Sequence, residues 1–519
     1  MLHSTNDKRA VKALLLFAVT VVTRLPFTSR FLYNWDSVQY ALGTESYNIT
    51  YHQPHPPGYL LYVAAGKALN LLTDNPNQSF ILLSILASGL AVSSLYLFGA
   101  RAMGDGDGAY AALLLLFNPV FWFYGEITST YALECLMAIL IGWTCFRVRD
   151  GEDRLAPWVG VLLGIAGGIR QGTVILLLPL VVFSLRRASA RYLLASAAAF
   201  VSVALAWLLP MLHLAGGLGT YLEATAQLSA IDTWRWSFHG VAIGLQNLAR
   251  LASATGLSLH ILVPIMVAFL LRFFPLADRR APWEKWFVLW WVVPSALPYV
   301  LHYGQPGYVL IYLPAILLYS PPLVRGFLND LKVRIHRDTG RPVGFGTQKA
   351  SLAILALVGF VGTALFLRAP WEASAHSIML HDMRWERILG LTERFHPNDT
   401  IVLTGFSTTG SFRHASYYLP EYLLYCIGVD DEVGVYGWVF RTQHKAPSYV
   451  LSHIELHDTI PLPPNVQYVL VLDRAIAAAS DTSMAEIPVA PGNSAYVLDL
   501  GNSQAPHTLV FQDHRLRLR

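Results

Sequence analysis

The chain has 519 residues, of which 54% are hydrophobic and only 13% charged, with a mean hydropathy of +0.44. Soluble domains carry about 25% charged residues, so a water-facing surface over so long a chain is excluded. A net charge of +4, with no basic run interleaved with aromatics, gives no nucleic-acid partner, and three scattered cysteines give neither a disulfide framework nor a zinc spacing.

Lys8, Arg9 and Lys12 precede the apolar stretch Ala13 to Val22, as in a signal peptide. No small-residue cleavage site follows, and Arg24-Leu25-Pro26-Phe27 leads into an aromatic loop, so the stretch reads as an uncleaved first span. A bilayer crossing takes about 20 apolar residues. Eleven stretches, several of them short, are candidates: 11–27, 79–100, 108–124, 127–146, 155–169, 172–186, 192–214, 258–272, 285–302, 307–324 and 350–368. The 14 Trp and 25 Tyr suit rings placed at the headgroup level. With a cytoplasmic N-terminus, 20 Lys and Arg fall on the cytoplasmic side. Arg30, Lys67, Arg170, Arg235 and Arg250 fall on the other, and the bias alternates loop by loop.

Residues 369–519 would then lie outside. Thr400–Thr404 and Gln467–Leu472 read as short strands between Pro, Gly and Asn turns. The expected fold is an all-α polytopic membrane protein of about eleven transmembrane helices, residues 1–368, followed by a small mixed α/β extracytoplasmic domain, residues 369–519. There is no internal repeat.

The long loops 28–78 and 215–257 lie on the outer face, so chemistry is expected there. The first holds Trp35-Asp36-Ser37 and then His52-Gln53-Pro54-His55-Pro56-Pro57-Gly58-Tyr59. A carboxylate at Asp36 can accept a proton from a hydroxyl or bind a cation. The prolines make a stiff turn that presents His55. In isolation Asp36 is better explained by a solvated loop and His55 by a surface turn; their clustering reverses that and favours function. Glu126 falls at the turn between the third and fourth spans, and Glu134 eight residues on, on roughly the same helical face. An acid at membrane depth is by default functional or paired. Arg170, followed by Gln171, breaks the positive-inside bias, which suits either a phosphate ligand or an interfacial, snorkelling arginine. His302, Gln305, Tyr308 and Tyr312 offer hydrogen bonds to a polar ligand or belong to an aromatic belt. Asp105-Gly106-Asp107 reads as a turn rather than a nucleotide-sugar motif, and no P-loop or Gly-x-Gly-x-x-Gly is present.

The early loop Asp, the His-Pro-Pro-Gly-Tyr segment, and the Glu126 to Tyr131-Ala-Leu segment resemble the GT-C membrane glycosyltransferases. The likeness is to the bacterial branches related to protein O-mannosyltransferases. The Gly-Gln-Pro-Gly-Tyr turn and Tyr417-Tyr418-Leu419-Pro420-Glu421-Tyr422 are similar as well. The resemblance implies a sugar donor on a polyprenyl phosphate, a protein, glycan or lipid acceptor, and inverting displacement on the outer face. It implies Asp36 as general base and Glu126 as the second acidic residue. His52, His55, Arg170, Gln171, Gln305 and Tyr308 would bind donor or substrate, with Arg170 facing the donor phosphate. Ser37 stands where several relatives have a second carboxylate, and Glu45 comes nine residues after Asp36. Metal dependence is therefore open, with Mg or Mn held by Asp36 and Glu126 as the form it would take. The expected location is a bacterial inner, or cell, membrane, with an ER lumen as the other setting for the outer face. A lipid-linked-sugar transporter and a non-catalytic assembly or binding protein are the rival readings.

Overall fold

The computed structural model describes residues 2–232, 237–265, 267, 283–302, 304–339, 346–368, 373–405, 412–430, 434–438, 456–457, 459–501, 507–512 and 515–518. The chain divides into two compact units. A helical unit comprises Met1–Thr28, Tyr59–His213 and Leu228–His376, and a mixed unit comprises Ser29–Gly58, Leu214–Gln227 and Ser377–Arg519.

Among the described residues, six helices are long and apolar enough to cross a membrane: Asp7–Phe27, Pro76–Ala102, Tyr131–Arg149, Ala190–Leu214, Pro306–Thr339 and Thr347–Arg368. They fall on six of the eleven expected spans. The chain is a multi-pass membrane protein. The stretch 108–124 is two helices rather than one: Asp105–Leu116 ends, and Pro119–Tyr124 restarts behind Asn118. Asn118 Oδ1 accepts from Phe121 N at 3.0 Å and Pro119 opens the new helix, a side-chain cap that breaks the first helix by replacing its ladder. Stretches 155–169 and 172–186 form helices of 14 residues each, about 21 Å long, against an apolar core of about 30 Å. The 285–302 stretch is one helix, Trp283–Leu301, with Pro294 and Pro298 inside it. Residues 266 and 268–272 of the 258–272 stretch lie outside the described residues. The expected long loop 215–257 carries helix Leu218–Asp232 and most of helix Val241–Leu259.

Close helix packing in this unit depends on small residues. A Cβ at Gly160 would lie 2.0 Å from the Ser196 carbonyl oxygen, and one at Gly164 would lie 2.8 Å from Val203 Cβ. The two glycines are one turn apart on helix Ala156–Ile169, so its backbone can lie against helix Ala190–Leu214, the small-residue geometry by which helices associate in lipid.

The mixed unit is built on a seven-stranded sheet. Its strands are β1 (Thr400–Thr404), β2 (Leu423–Asp430), β3 (Gly434–Trp438), β4 (Leu456–His457), β6 (Tyr468–Val471), β7 (Ala485–Ala490) and β8 (Asn493–Asp499). The order is β4-β3-β2-β1-β6-β8-β7, and β5 (Thr459–Pro461), β9 (Thr508–Gln512) and β10 (Arg515–Leu518) form a second sheet. Central β1 is parallel to both neighbours, Ile401 lying opposite Leu423 and Val469, and all five of its residues are buried. A continuous apolar run covered on both faces is what a parallel strand needs. Both strands expected from sequence are present. Trp385 and Ile388 of helix Ala375–Thr392, and Phe412 and Ala415 of helix Phe412–Tyr418, pack on Val402, Leu424 and Leu470. The first loop joins this core: Leu32, Val38, Ala41 and Leu42 pack with Tyr417 and Tyr418.

Gly160→Leu is expected to lower helical-unit stability by about 1–3 kcal/mol, because the backbone of the facing helix cannot yield as a side chain can. Thermal denaturation in detergent checks this, and an unchanged midpoint contradicts the packing.

Candidate active site

The polar anchors of the first loop come from the end of the chain. Asp382 accepts from Ser29 Oγ at 3.1 Å, Arg30 N at 2.9 Å and Phe31 N at 3.2 Å. Leu32 N donates to the Tyr418 hydroxyl at 2.7 Å. His381 Nε2 meets Leu32 O at 3.0 Å and His414 Nε2 meets Tyr33 O at 3.3 Å. A carbonyl only accepts, so both imidazoles are assigned with the proton on Nε2. Burial pushes His381 down to about 3 and holds His414 well below the ordinary histidine range, so both are neutral.

The anchored loop enters helix Trp35–Glu45, whose N-terminus is closed by a capping box. Asn34 Oδ1 accepts from Ser37 N at 2.9 Å, and Asn34 N donates back to Ser37 Oγ at 3.3 Å. The serine that stands in place of a second carboxylate therefore serves the cap. Asp36 sits in the first turn, where a helix favours negative charge. Its Oδ1 lies 3.8 Å from His55 Nδ1, and its side chain is 29% exposed against 14% for His55. Gln39, one turn on, accepts from His55 N at 3.3 Å and makes a close contact with His55 Nδ1 through the same oxygen. With two acceptors facing it, Nδ1 is assigned the proton. Glu45 ends this 11-residue helix about 13 Å along the axis from Asp36, beside Tyr417, so the loop holds no carboxylate pair.

The returning segment is rigid, as the prolines imply. Asn48 and Gln53 exchange backbone hydrogen bonds of 2.7 and 2.8 Å, and Asn48 Oδ1 accepts from Thr50 N and Thr50 Oγ1. Tyr47 donates to Gly58 O at 2.6 Å, and the Gln53–Pro54 and Pro56–Pro57 peptides are cis. His52 adopts a left-handed φ of 55°, uncommon for a residue with a side chain. Burial, then the charge of Arg413, push His52 down to about 3. Arg413 was not singled out in the sequence. Its one signal there is a cation inside the otherwise uncharged run Phe412 to Pro420.

The helical unit holds a second cluster. Arg170 Nη1 donates to Glu134 Oε1 at 3.1 Å and Nη2 to the Tyr308 hydroxyl at 2.9 Å. Its guanidinium faces the Tyr131 and Tyr308 rings at 5.0 and 4.7 Å. Glu134 is buried and also accepts from Thr130 Oγ1 at 2.6 Å and Thr173 Oγ1 at 3.3 Å. Tyr131 donates to Gln305 Oε1 at 3.1 Å, and Gln171 Nε2 lies 3.6 Å from Met211 Sδ. Three expected residues, Arg170, Gln305 and Tyr308, are thus gathered around two that were outside the expected binding set, Glu134 and Tyr131. Tyr312 is engaged elsewhere, with Thr255 Oγ1 at 2.8 Å.

Glu126 is also in the helical unit and has no exposed surface. Neither carboxyl oxygen makes a hydrogen bond among the described residues. Its charge partner is Arg24, equally buried, which donates to Leu116 O at 2.9 Å and lies 4.5 Å over the Trp122 ring. Among the described residues no three His, Cys, Asp or Glu side chains gather closely enough to hold a metal ion. A divalent cation on Asp36 or Glu126 would need donors beyond these.

Two outcomes follow. Glu134→Gln leaves Arg170 a buried cation without its anion and is expected to cost about 3–5 kcal/mol, with Arg170→Gln in the same chain recovering part of it. Thermal denaturation of the single and double variants decides this; strict additivity contradicts the pairing. For the mixed unit, unfolded imidazoles titrate near 6.5 and the folded His52 and His381 near 3. Between those values the unfolded chain binds more protons, so stability is complete above about pH 6.5 and falls as pH is lowered towards 3. The loss at pH 5 is up to about 2 kcal/mol per imidazole. Unfolding midpoints at pH 7 and pH 5 check it, and equal midpoints contradict it.

Residues 46–192 match the family model described as Protein O-mannosyl-transferase TMEM260 N-terminal domain, a stretch that holds His52, His55, Glu126, Glu134, Arg170 and Gln171. No curated protein matches the chain. Structures of ArnT from Cupriavidus metallidurans, one bound to undecaprenyl phosphate and one apo, each have a TM-score of 0.51 and 12% identity. Each covers 97% of this chain and 99% of the other. The oligosaccharyltransferase AglB from Archaeoglobus fulgidus, in complex with an inhibitory peptide and a dolichol-phosphate, has a TM-score of 0.47 at 12% identity, over 88% of this chain and 69% of AglB. At such identity the ArnT likeness is one of fold. The chain thus carries a match to the protein O-mannosyl-transferase TMEM260 N-terminal domain in residues 46–192, together with a likeness of fold to ArnT.

Proposed function

We propose that this protein is a glycosyltransferase that moves a sugar, with mannose favoured, from a polyprenyl phosphate to an acceptor hydroxyl on the outer face of a bacterial cell membrane. The observation that carries the reading is Asp36: a carboxylate fixed in the first turn of a capped helix, part-open to solvent, 3.8 Å from a histidine that Gln39 holds in place. A membrane protein that takes its donor from the bilayer needs no nucleotide-binding loop. The matched family is named for O-mannosyl transfer, and ArnT was solved bound to undecaprenyl phosphate.

In the proposed step, Asp36 takes the proton of the acceptor hydroxyl as its oxygen bonds to the anomeric carbon. The bond from that carbon to the phosphate oxygen breaks, and the electron pair leaves with the polyprenyl phosphate, inverting the carbon. His55, held in place by Gln39, stands beside the carboxylate. His52, kept neutral, lines the same loop without adding charge. The Arg170 cluster is the proposed place for the donor phosphate. Arg170 uses two of its five N–H groups on Glu134 and Tyr308, leaving others for an anion, while Gln171, Gln305 and Tyr308 supply neutral polar groups around it. Glu126, buried with Arg24 as its charged neighbour, is assigned no part in this step. The acceptor is a hydroxyl of a protein, glycan or lipid.

Asp36→Asn removes the proton acceptor and preserves the shape. Transfer of mannose from undecaprenyl phosphomannose by the full chain in nanodiscs is expected to slow by about 10²–10⁴-fold, with donor affinity unchanged. Undiminished transfer by Asp36→Asn refutes the base assignment.

A further inference from the structure

Asp36 and His55 lie on two separate arms of the first loop. One arm is the helix start at Trp35, which bears Asp36 and Gln39. The other is the turn Tyr51 to His55, which bears both histidines. The 3.8 Å between Asp36 Oδ1 and His55 Nδ1 is therefore a distance between arms, and something must set it. Gln39 ties the second arm to the first from below. The other tie comes from 362 positions further along the chain.

Arg413, on helix Phe412–Tyr418, is 1% exposed. Its Nη2 donates to Tyr51 O at 3.3 Å, and its guanidinium lies 5.5 Å from the Trp35 ring centroid. Trp35 immediately precedes Asp36, and Tyr51 immediately precedes His52. One planar cation thus touches the base of both arms at once. A long cationic side chain suits that task because one charged group both faces an aromatic ring and donates to a carbonyl. The helix that presents it is itself tied to the loop by His414 to Tyr33 O and by Tyr418 to Leu32 N.

We propose that Arg413 is a positioning residue of the transfer site: by bridging Trp35 and Tyr51, it sets the spacing between Asp36 and His55. The C-terminal part of the chain is then a working part of the site rather than an appended domain. This rests on the reading of Asp36 as the base. Arg413 is buried and acts through its neighbours, so its removal misplaces the base without removing a contact to the donor. Misplacement by about 1 Å can cost about 100-fold in rate.

The test uses the full chain in nanodiscs with undecaprenyl phosphomannose, comparing Arg413→Gln, Arg413→Lys and Asp36→Asn for kcat, donor KM and melting temperature. Glutamine is shorter and uncharged, so it neither reaches Tyr51 O nor places charge over Trp35; lysine keeps the reach and the charge. The expected result is that Arg413→Gln lowers kcat at least about tenfold with donor KM within about twofold, and that Arg413→Lys restores kcat to within about threefold. If Arg413→Gln keeps wild-type kcat while Asp36→Asn is inactive, the positioning role is overturned and the base assignment stands. If both Arg413 variants lose activity and melt early together, the residue supports only the fold and the proposal is overturned. If Asp36→Asn is fully active, the base assignment fails and the positioning role fails with it.

Discussion

A loop between membrane spans cannot by itself hold a carboxylate still. Ordering each residue costs about 1–2 kcal/mol, and a short helix such as Trp35–Glu45 is marginal in water. In this protein the loop is held by hydrogen bonds to its backbone. Asp382 takes two consecutive amides and a hydroxyl, His381 and His414 take two consecutive carbonyls, and Tyr418 takes the amide between. Because most of these anchors grip backbone, they fix the path of residues 29–33 and with it the start of the helix that presents Asp36. The parallel strands β1, β2 and β6 matter chiefly as the base on which those anchors stand.

The histidine anchors are neutral where charge would be costly. Fully buried imidazoles that donate to carbonyls need no counter-ion, provided they stay unprotonated, and burial ensures that. The helical unit does the opposite and buries charge in pairs. Arg170 is ion-paired with Glu134, and Arg24 is the buried cation whose charge acts on Glu126, each at a depth where a lone charge would be expensive. The two pairs differ in chemical promise. Arg170 retains partial exposure, whereas Glu126 is closed over entirely.

Much of this was legible in the sequence and some was not, for physical reasons. Long apolar runs such as 79–100 and 350–368 state their own structure, and so do Thr400–Thr404 and the Pro-Pro-Gly turn. The break at Asn118-Pro119 was readable as a cap and helix start, yet the surrounding hydrophobicity masked it. Glu134 and Arg170 were each noticed as a charge in need of a reason. That each is the other's reason could not be seen, because spacing along the chain says nothing about which helices meet. Arg413 was further from view. A hydrogen bond to a distant carbonyl leaves no periodic trace in composition, so the dependence of the first loop on the chain's last third appears only once the fold is known.

The account stands or falls on whether the protein transfers a sugar from a polyprenyl phosphate. The most direct measurement is to offer the purified, folded full chain in lipid nanodiscs a panel of radiolabelled polyprenyl-phosphate sugars, with and without EDTA. Label is then followed into water-soluble or acceptor-bound product. Release or transfer from at least one donor, mannose foremost, is the result the account predicts. Intact donors across the whole panel, from protein that melts cooperatively, would contradict it.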